Sequence, residues 1–292
     1  MLARLDVSRV TLMRQVKALG SDVVVRGAAR RTAYAARRAI RGNAASIPLY
    51  RIDSEGRGSL VGQLDPLYPE GSAVRFEDKD VFEWPLMDHM ADGWFDGLPY
   101  FLDDMRPQGF LGRHFARLYS QQFQVPENPV DCQGDDVIFM LSILGADQPG
   151  NYLLGGPAYR RFLGKVQQGA TFLADADVAL AYPQYARDAM ESGVSDSSAG
   201  GEFPKFTARR LFNQQPQHVL VKFSGNDASP SVQRWSDLLI CENLALEAVT
   251  THLHIEAAKS RIYRAEGRTF LEVERFDRHG AFGRSAVLVG RL

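Results

Sequence analysis

The stretch that decides the fold is GGEFPKFTARRLFNQQPQHVLVKF, residues 200–223. A Ser/Gly-rich loop opens it, a strand is predicted next, and a turn at residues 213–217 leads into a second strand, HVLVKF. Lys222 stands between two apolar residues of that second strand. It is either a buried functional lysine or an edge-strand lysine that guards against aggregation.

The elements that follow give this lysine a context. A long helix carrying Glu242 is predicted over residues 231–251, followed by two strands around a turn at Glu266–Gly267, ending in LEVERFDRHG. Glycine loop, strand lysine, helix glutamate, strand pair and linker is the order of the ATP-binding lobe of a protein kinase.

Each part of that order has a physical role. Gly200 and Gly201 would let backbone amides approach phosphate oxygens, Lys222 would neutralise phosphate charge, and Glu242 would hold the lysine ammonium. Considered one at a time, the two glycines would indicate only a turn, and Glu242 would indicate only a solvated helix residue. The order of the parts favours a nucleotide-binding lobe.

The amino-terminal end is strongly basic. Residues 1–42 hold ten Lys and Arg against two acidic residues, although the whole chain has a net charge of −1. Ser8 can cap a helix, Gly20 can end it, and Val23–Val25 followed by Tyr34 suits a hairpin wing. The sequence predicts a winged helix-turn-helix; the alternative is a short amphipathic helix with a solvated basic face.

In a winged helix the start of the second helix enters the major groove of DNA. The residues placed there are Ser8, Arg9, Thr11 and Arg14, with Lys17 directed toward the phosphates. Met1 falls almost directly before this pair of helices. We therefore expect the winged helix to be shortened at its front.

The fold class predicted for the whole chain is α+β. A winged helix over residues 1–42 precedes a β/α region over 43–190, which starts with the strand-like IPLYRI and SLVGQL, and a kinase-like lobe over 191–292.

Several classes of protein are disfavoured by composition. Cys132 and Cys241 lie far apart without a metal-ligand pattern, which indicates a reducing, cytoplasmic setting with no disulfide framework. No apolar run is long enough to cross a bilayer, so no membrane partner is expected. His252 and His254 lack a third ligand, so no metal site is predicted. GxSxG and GxxxxGK are both missing from the sequence.

The residues within these motifs, as well as the order of the motifs, resemble those of the HipA family of serine/threonine kinases, the toxins of toxin–antitoxin systems. The resemblance spans roughly residues 45–292 and is carried by GGEFPK, HVLVK, CENLAL and especially LEVERFDR. DVSRVTLMRQV, residues 6–16, resembles the helix-turn-helix of a HipA-like subgroup with a DNA-binding end.

The resemblance implies roles for particular residues in binding ATP. Lys222 would contact the phosphates, backbone groups of Glu274 and Phe276 would hold the adenine, and Asp277 would reach the ribose. The loop covering the phosphates would comprise Ala199, Gly200, Gly201 and Glu202. A regulatory autophosphorylation loop is implied at Ser195, Ser197 and Ser198, without distinguishing among the three.

The sequence departs from the family after the linker. The family's catalytic aspartate, its asparagine and its magnesium-binding aspartate lie further on, whereas this sequence stops at Leu292. We therefore expect Mg²⁺ ligands in the missing part and no turnover by this chain. The expected partners are DNA, an antitoxin and an unidentified protein substrate.

Two further interpretations stay open. The chain is alternatively a DNA-binding transcriptional regulator whose kinase-like portion is a nucleotide sensor or an interaction module. A third interpretation is a partial protein without activity of its own.

Overall fold

The structure is a computed structural model that describes residues 7–27, 32–77, 93–191 and 203–287, without the side chains of 114–116. The chain forms two compact units. The first comprises Met1–Leu49 and Leu60–Tyr100, and the second Tyr50–Ser59 and Phe101–Leu292. These limits differ from the predicted boundaries after residues 42 and 190.

The first unit begins with a helix and a hairpin. In chain order its elements are α1 (Arg9–Leu19), β1 (Val23–Arg26), β2 (Ala33–Ala36), the start of β3 (Ile47–Ile52), most of β4 (Gly58–Pro66), β5 (Ser72–Phe76) and β6 (Trp94–Phe95). Strand β1 pairs antiparallel with β2, β4 with β5, and β5 with β6.

The hairpin β1–β2 shares its core with the strands that follow. Val24 is buried in one cluster with Leu67 and Ala73, against which Trp94 packs. The hairpin thus buries Val24 against residues that lie beyond position 42.

The second unit holds most of the helices. In chain order its elements after the β3–β4 turn are α2 (Tyr100–Asp103), α3 (Gly109–Phe123), α4 (Gly134–Leu144), β7 (Tyr152–Leu154), α5 (Gly156–Gln168), β8 (Leu173–Ala174), α6 (Val178–Glu191), β9 (Lys205–Phe212), β10 (Gln215–Phe223), α7 (Pro230–Leu253), β11 (Ser260–Ala265), β12 (Arg268–Glu274), β13 (Arg278–His279) and β14 (Gly283–Arg284).

A five-stranded sheet in the order β11-β12-β10-β9-β8 organises the second unit. Strand β8 runs parallel to β9, and the other pairs are antiparallel. Two-residue turns join β9 to β10 at Asn213–Gln214 and β11 to β12 at Glu266–Gly267, and all four residues have positive φ. The first of these turns is shorter than predicted, because Gln215 already belongs to β10.

Helix α7 begins and ends with regular caps. The Ser229 hydroxyl accepts a hydrogen bond from the Val232 amide, and Pro230 occupies the first turn, where its missing N–H costs nothing. At the other end His254 adopts a left-handed conformation, and its amide donates to the Val249 carbonyl. The helix therefore starts one residue earlier and ends two residues later than predicted.

Helix α6 and the sheet form a hydrophobic core in this unit. Val221 and Phe223 on β10 and Phe270 on β12 pack with α6 residues that include Tyr182 and Ala186. Val221 and Phe223 alternate with Lys222 along the strand, so the pleat turns the lysine to the opposite face.

A buried charge network crosses this core. Arg210 on β9 is fully buried and pairs with Glu272 on β12 and Asp175 before α6. The Tyr182 hydroxyl donates to Glu272, and Arg261 Nη1 lies 2.7 Å from the other Glu272 oxygen. Burial, and then the Glu272 charge, raise the pKa of Tyr182 above its usual value, which keeps the phenol protonated as a donor.

We expect Arg210→Leu to lower the free energy of unfolding by about 3–5 kcal/mol, because it leaves the Glu272 carboxylate buried with too few partners. Urea unfolding followed by circular dichroism measures the effect. The matched control is Arg264→Leu at an exposed position of β11, which should change stability by less than about 0.5 kcal/mol. Equal losses in the two variants would contradict the assignment.

Candidate functional site

The structure brings together the predicted lysine and glutamate. Lys222 Nζ on β10 lies 2.6 Å from Glu242 Oε1 on α7. Both side chains are partly buried. Strand β10 has neighbours on both sides, so the explanation of Lys222 as an edge-strand lysine is wrong.

A second lysine lies beside Lys222. In the β9–β10 register Lys205 pairs directly with Lys222, so both side chains project from the same face of the sheet. Lys205 is almost completely buried, at 1% relative exposure. Two lysine ammonium groups on one face of the sheet, beside the Glu242 carboxylate, are groups that can contact an anionic ligand.

Lys205 was missed in the sequence, although a signal for it exists. The left-handed turn at Asn213–Gln214 makes Phe212 the partner of Gln215, and counting back along the hairpin pairs 205 with 222. The predicted turn, residues 213–217, is three residues longer than the observed one, which hid this register.

The glycine loop and its serines lie outside the described residues. These are Ser195, Ser197, Ser198, Ala199, Gly200, Gly201 and Glu202. Their assigned roles stay predictions.

The linker after β12 is fixed at several points. Glu274 donates its amide hydrogen to the Lys259 carbonyl, and Arg275 donates to His218. Phe276 has a side chain that is 70% exposed, and its amide donates no backbone hydrogen bond to another described residue. Phe276 thus presents its aromatic side chain and its backbone N–H group, while hydrogen bonds hold the residues that precede it in the linker.

Asp277 does not have the role that the resemblance implied. Its carboxylate is 5% exposed and accepts hydrogen bonds from Arg275, Arg278 and the Gly150 amide at 2.7–3.0 Å. Burial raises the pKa of Asp277, but Arg278 and Arg275 outweigh it and bring the pKa to about 2. The ribose contact is therefore corrected to a structural role, because these donors already occupy the carboxylate.

The predicted DNA-contacting residues lie on or next to α1. Ser8 is the cap of this helix: its hydroxyl accepts from the Thr11 amide at 3.1 Å and shares a hydrogen bond with the Thr11 hydroxyl at 2.9 Å. Arg9, Arg14 and Lys17 are exposed, and no residue of α1 is buried. The two hydroxyls satisfy each other, whereas the three cations face solvent.

Part of the basic charge near the amino terminus is used inside the first unit. Arg37 Nη2 lies 3.2 Å from the buried Asp65 carboxylate, and Arg38 donates to the carbonyls of Leu67 and Pro69. The charge count of residues 1–42 therefore overstates the cations that remain available to a partner.

In residues 7–27, 32–77, 93–191 and 203–287, no helix combines the length and apolar character needed to span a membrane. The same residues contain no group of three or more His, Cys, Asp or Glu side chains placed to hold a metal ion.

Comparison with known proteins relates the chain to a toxin. Residues 43–163 match the family described as YjjJ-like toxin, middle domain. The chain is 36% identical over 288 residues to Toxin YjjJ of Escherichia coli (strain K12). That alignment covers 98% of this chain and 61% of the relative, so the chain spans about three fifths of the relative's length.

The imidazole of His218, beneath the linker, makes stability depend on pH. Its Nε2 lies 3.0 Å from the Gly280 carbonyl oxygen. Burial lowers the pKa of His218 from 6.5 to about 4, the Gly280 hydrogen bond opposes this shift, and Arg209 adds to it. The folded state thus holds the neutral ring at a pH where the unfolded chain already binds a proton.

Because this pKa is depressed, the stabilisation is complete above about pH 6.5 and is lost as the pH falls toward about 4. Between pH 7 and 5 we expect wild type to lose on the order of 1–2 kcal/mol more than His218→Gln. Urea unfolding at the two pH values checks this difference. Identical pH dependence of the two proteins would contradict it.

Proposed function

We propose that this chain is the ATP-binding part of a HipA-like toxin serine/threonine protein kinase with a DNA-binding end. The observation that carries the proposal is the 2.6 Å contact between Lys222 on a central strand and Glu242 on the following helix. A kinase holds its phosphate-contacting lysine by such a strand–helix ion pair.

The residues around this pair fit a polyphosphate. Lys222 and Lys205 lie side by side, and the Glu242 carboxylate restrains the Lys222 ammonium. A phosphate entering here would find donors already positioned, so less conformational freedom is lost on binding. Bound Mg-ATP would supply the phosphoryl group, and the residues present here would bind and orient it.

The linker supports the base-binding end of the same proposal. The Phe276 amide is available as a donor to an adenine ring nitrogen, and the Phe276 side chain can cover an apolar ring. Arg275 and Asp277, on either side, hold the backbone by a two-point ion pair at 2.9–3.0 Å. In the proposed mechanism Asp277 positions the linker and does not contact the nucleotide.

The remaining parts of the mechanism lie beyond these residues. A catalytic base and the Mg²⁺ ligands belong to the further lobe that the family resemblance implies. Ser195, Ser197 and Ser198 remain candidates for regulatory phosphorylation, and an antitoxin is the partner that the toxin relative's name suggests. We propose a cytoplasmic setting, consistent with the two free cysteines.

A second candidate function is supported by α1. Its cations Arg9, Arg14 and Lys17 are exposed on a capped helix that a hairpin follows at Val23–Arg26. This arrangement suits a helix in a DNA groove and a wing beside it. A DNA-binding regulator with a nucleotide-sensing portion would use the same two sites without phosphoryl transfer.

We expect the chain to bind Mg-ATP, and Lys222→Ala to weaken the affinity at least about tenfold, because a charge-assisted contact to phosphate is lost. Glu242→Gln should weaken it less, since the lysine charge remains. Isothermal titration calorimetry of the 292-residue chain measures both.

Lys259→Ala, a change of the same type at an exposed lysine, is the control and should leave the affinity unchanged. Absence of Mg-ATP binding by a chain shown to be folded would refute the proposal. Equal affinity of wild type and Lys222→Ala would also refute it.

For DNA, we expect the triple variant Arg9→Gln, Arg14→Gln and Lys17→Gln to bind a mixed-sequence duplex more weakly. The slope of log Kd against log salt should fall by about 0.9 for each phosphate contact removed. Fluorescence anisotropy at several salt concentrations gives this slope.

A control with the same change in net charge combines Arg160→Gln, Arg234→Gln and Arg264→Gln, all exposed in the second unit. Equal weakening by both triple variants would show that net charge, rather than α1, determines binding.

A further inference from the structure

A second cationic site lies within the second unit, apart from the Lys222–Glu242 pair. It is a small cavity formed where the end of α4, helix α5, the β9–β10 hairpin and the β13–β14 hairpin meet. The charged residues among the described ones that line it are Asp147, Lys165, Arg209, Arg278 and Arg284. Four cations and one carboxylate thus line the cavity, and a second carboxylate, Asp277, pairs with Arg278 at 2.7 Å.

The most informative residue of this cavity is Arg284. It is 5% exposed, and its Nη2 donates to the Ala146 carbonyl at 2.5 Å. Its Nη1 is buried and has no hydrogen-bond partner. A buried guanidinium N–H without an acceptor costs about 1–3 kcal/mol or more, so an acceptor supplied by a ligand would be strongly favoured.

The charges of Asp147 and Asp277 offset only part of the effect of burial on Arg284. Asp147 lies 3.3 Å from Arg278 Nη2, so it is already engaged. Burial, and then the Arg278 charge, lower the pKa of Arg284 well below its usual value. The site therefore holds cationic groups that repel one another and that a bound anion would stabilise.

Two aromatic rings give the cavity apolar walls. The Arg284 guanidinium lies 5.0 Å from the centre of the Phe162 ring, and the Arg209 guanidinium 5.5 Å from that of Phe282. The two rings pack edge to face at 6.5 Å. Apolar walls exclude water, which strengthens the attraction between these cations and an anion.

The dimensions restrict the ligand. The cavity at Arg284 has a volume of about 20 Å³, enough for one or two oxygens of an anionic group. An adjoining open cavity of about 350 Å³ shares Asp147 and Lys165 and is also lined by Arg161 and Gln168. A ligand could therefore place its anionic group at Arg284 and its remainder along α5.

We propose that this site binds the dianionic phosphate group of a small phosphorylated molecule, with Arg284 as its principal donor. The excess of cations favours a double over a single negative charge, and the fork of a guanidinium matches two phosphate oxygens. None of the lining residues is assigned to ATP, so this site and the proposed kinase function can fail independently.

Calorimetry with inorganic phosphate and with O-phosphoserine tests the proposal, with acetate as a carboxylate comparison. The titrations use the full chain carrying Lys222→Ala, which removes the lysine of the proposed nucleotide site. We expect saturable binding of both phosphates and weaker binding of acetate. If O-phosphoserine binds more tightly than inorganic phosphate, the part of the ligand beyond its phosphate group contacts the larger cavity. If the two affinities are equal, the protein contacts only the phosphate group.

Lys165→Gln and Arg209→Gln change partly exposed residues and should weaken phosphate binding about tenfold or more. They keep the test decisive even if Arg284→Gln fails to fold. Arg264→Gln, which removes a cation outside the cavity, should have no effect.

Proton NMR of His218, which also lines the cavity, gives an independent measure. A bound phosphate anion favours the protonated imidazole, so phosphate should raise the pKa of His218, and the resonance is identified by its loss in His218→Gln. Binding with an unchanged His218 pKa would overturn the assignment to this cavity. No saturable phosphate binding by a folded chain, or binding as tight in Lys165→Gln and Arg209→Gln, would overturn it as well.

Discussion

The second unit depends on the alternation of side chains along β10. Val221 and Phe223 fill the core beneath α6, and Lys222 between them faces α7 and Glu242. A shift of one residue in register would put the lysine into the apolar core and the apolar residues beside Glu242. The packing of the core and the geometry of the candidate site are thus set by the same register.

Ion pairs of buried arginines connect segments of the second unit that are far apart in the sequence. Arg210 joins β9 to Glu272 on β12, and Arg278 joins the linker to Asp147 and Gly150. Such buried pairs add little net stability relative to well-packed apolar residues, but breaking one partner is costly. Their effect here is to fix which strands and turns meet, and therefore where Lys222 and Phe276 lie.

The similarity to Toxin YjjJ and the geometry of the strand–helix ion pair support different statements about the chain. The comparison covers nearly the whole chain but only 61% of the relative, and the matched family segment, residues 43–163, precedes Lys222. The kinase interpretation rests on the order of elements in residues 205–278 and on the contact at Glu242. Together they describe a chain that is similar to Toxin YjjJ and that carries a proposed nucleotide site.

Local patterns in the sequence determined much of the second unit. The residues predicted as strands around the Asn213 and Glu266 turns lie in strands, and the helix that carries Glu242 lies within a residue or two of its predicted limits. Turn residues, a Ser-Pro helix start and apolar alternation act over a few positions, so a single sequence carries them. Charge counts near the amino terminus were less informative, because Arg37 and Arg38 bind groups beyond residue 42.

Only the tertiary structure decided which side chains meet across long separations. Asp277 follows the linker in sequence and looked free to reach a ligand, but Gly150 and two arginines enclose it. Lys205 was given no role of its own in the sequence, and the hairpin register places it beside Lys222. The Arg284 side chain packs against Phe162 and Ala146, which lie more than 100 residues earlier, and its buried Nη1 group has no hydrogen-bond partner. Burial and pairing of this kind depend on distances between remote segments, which periodicity along the chain does not encode.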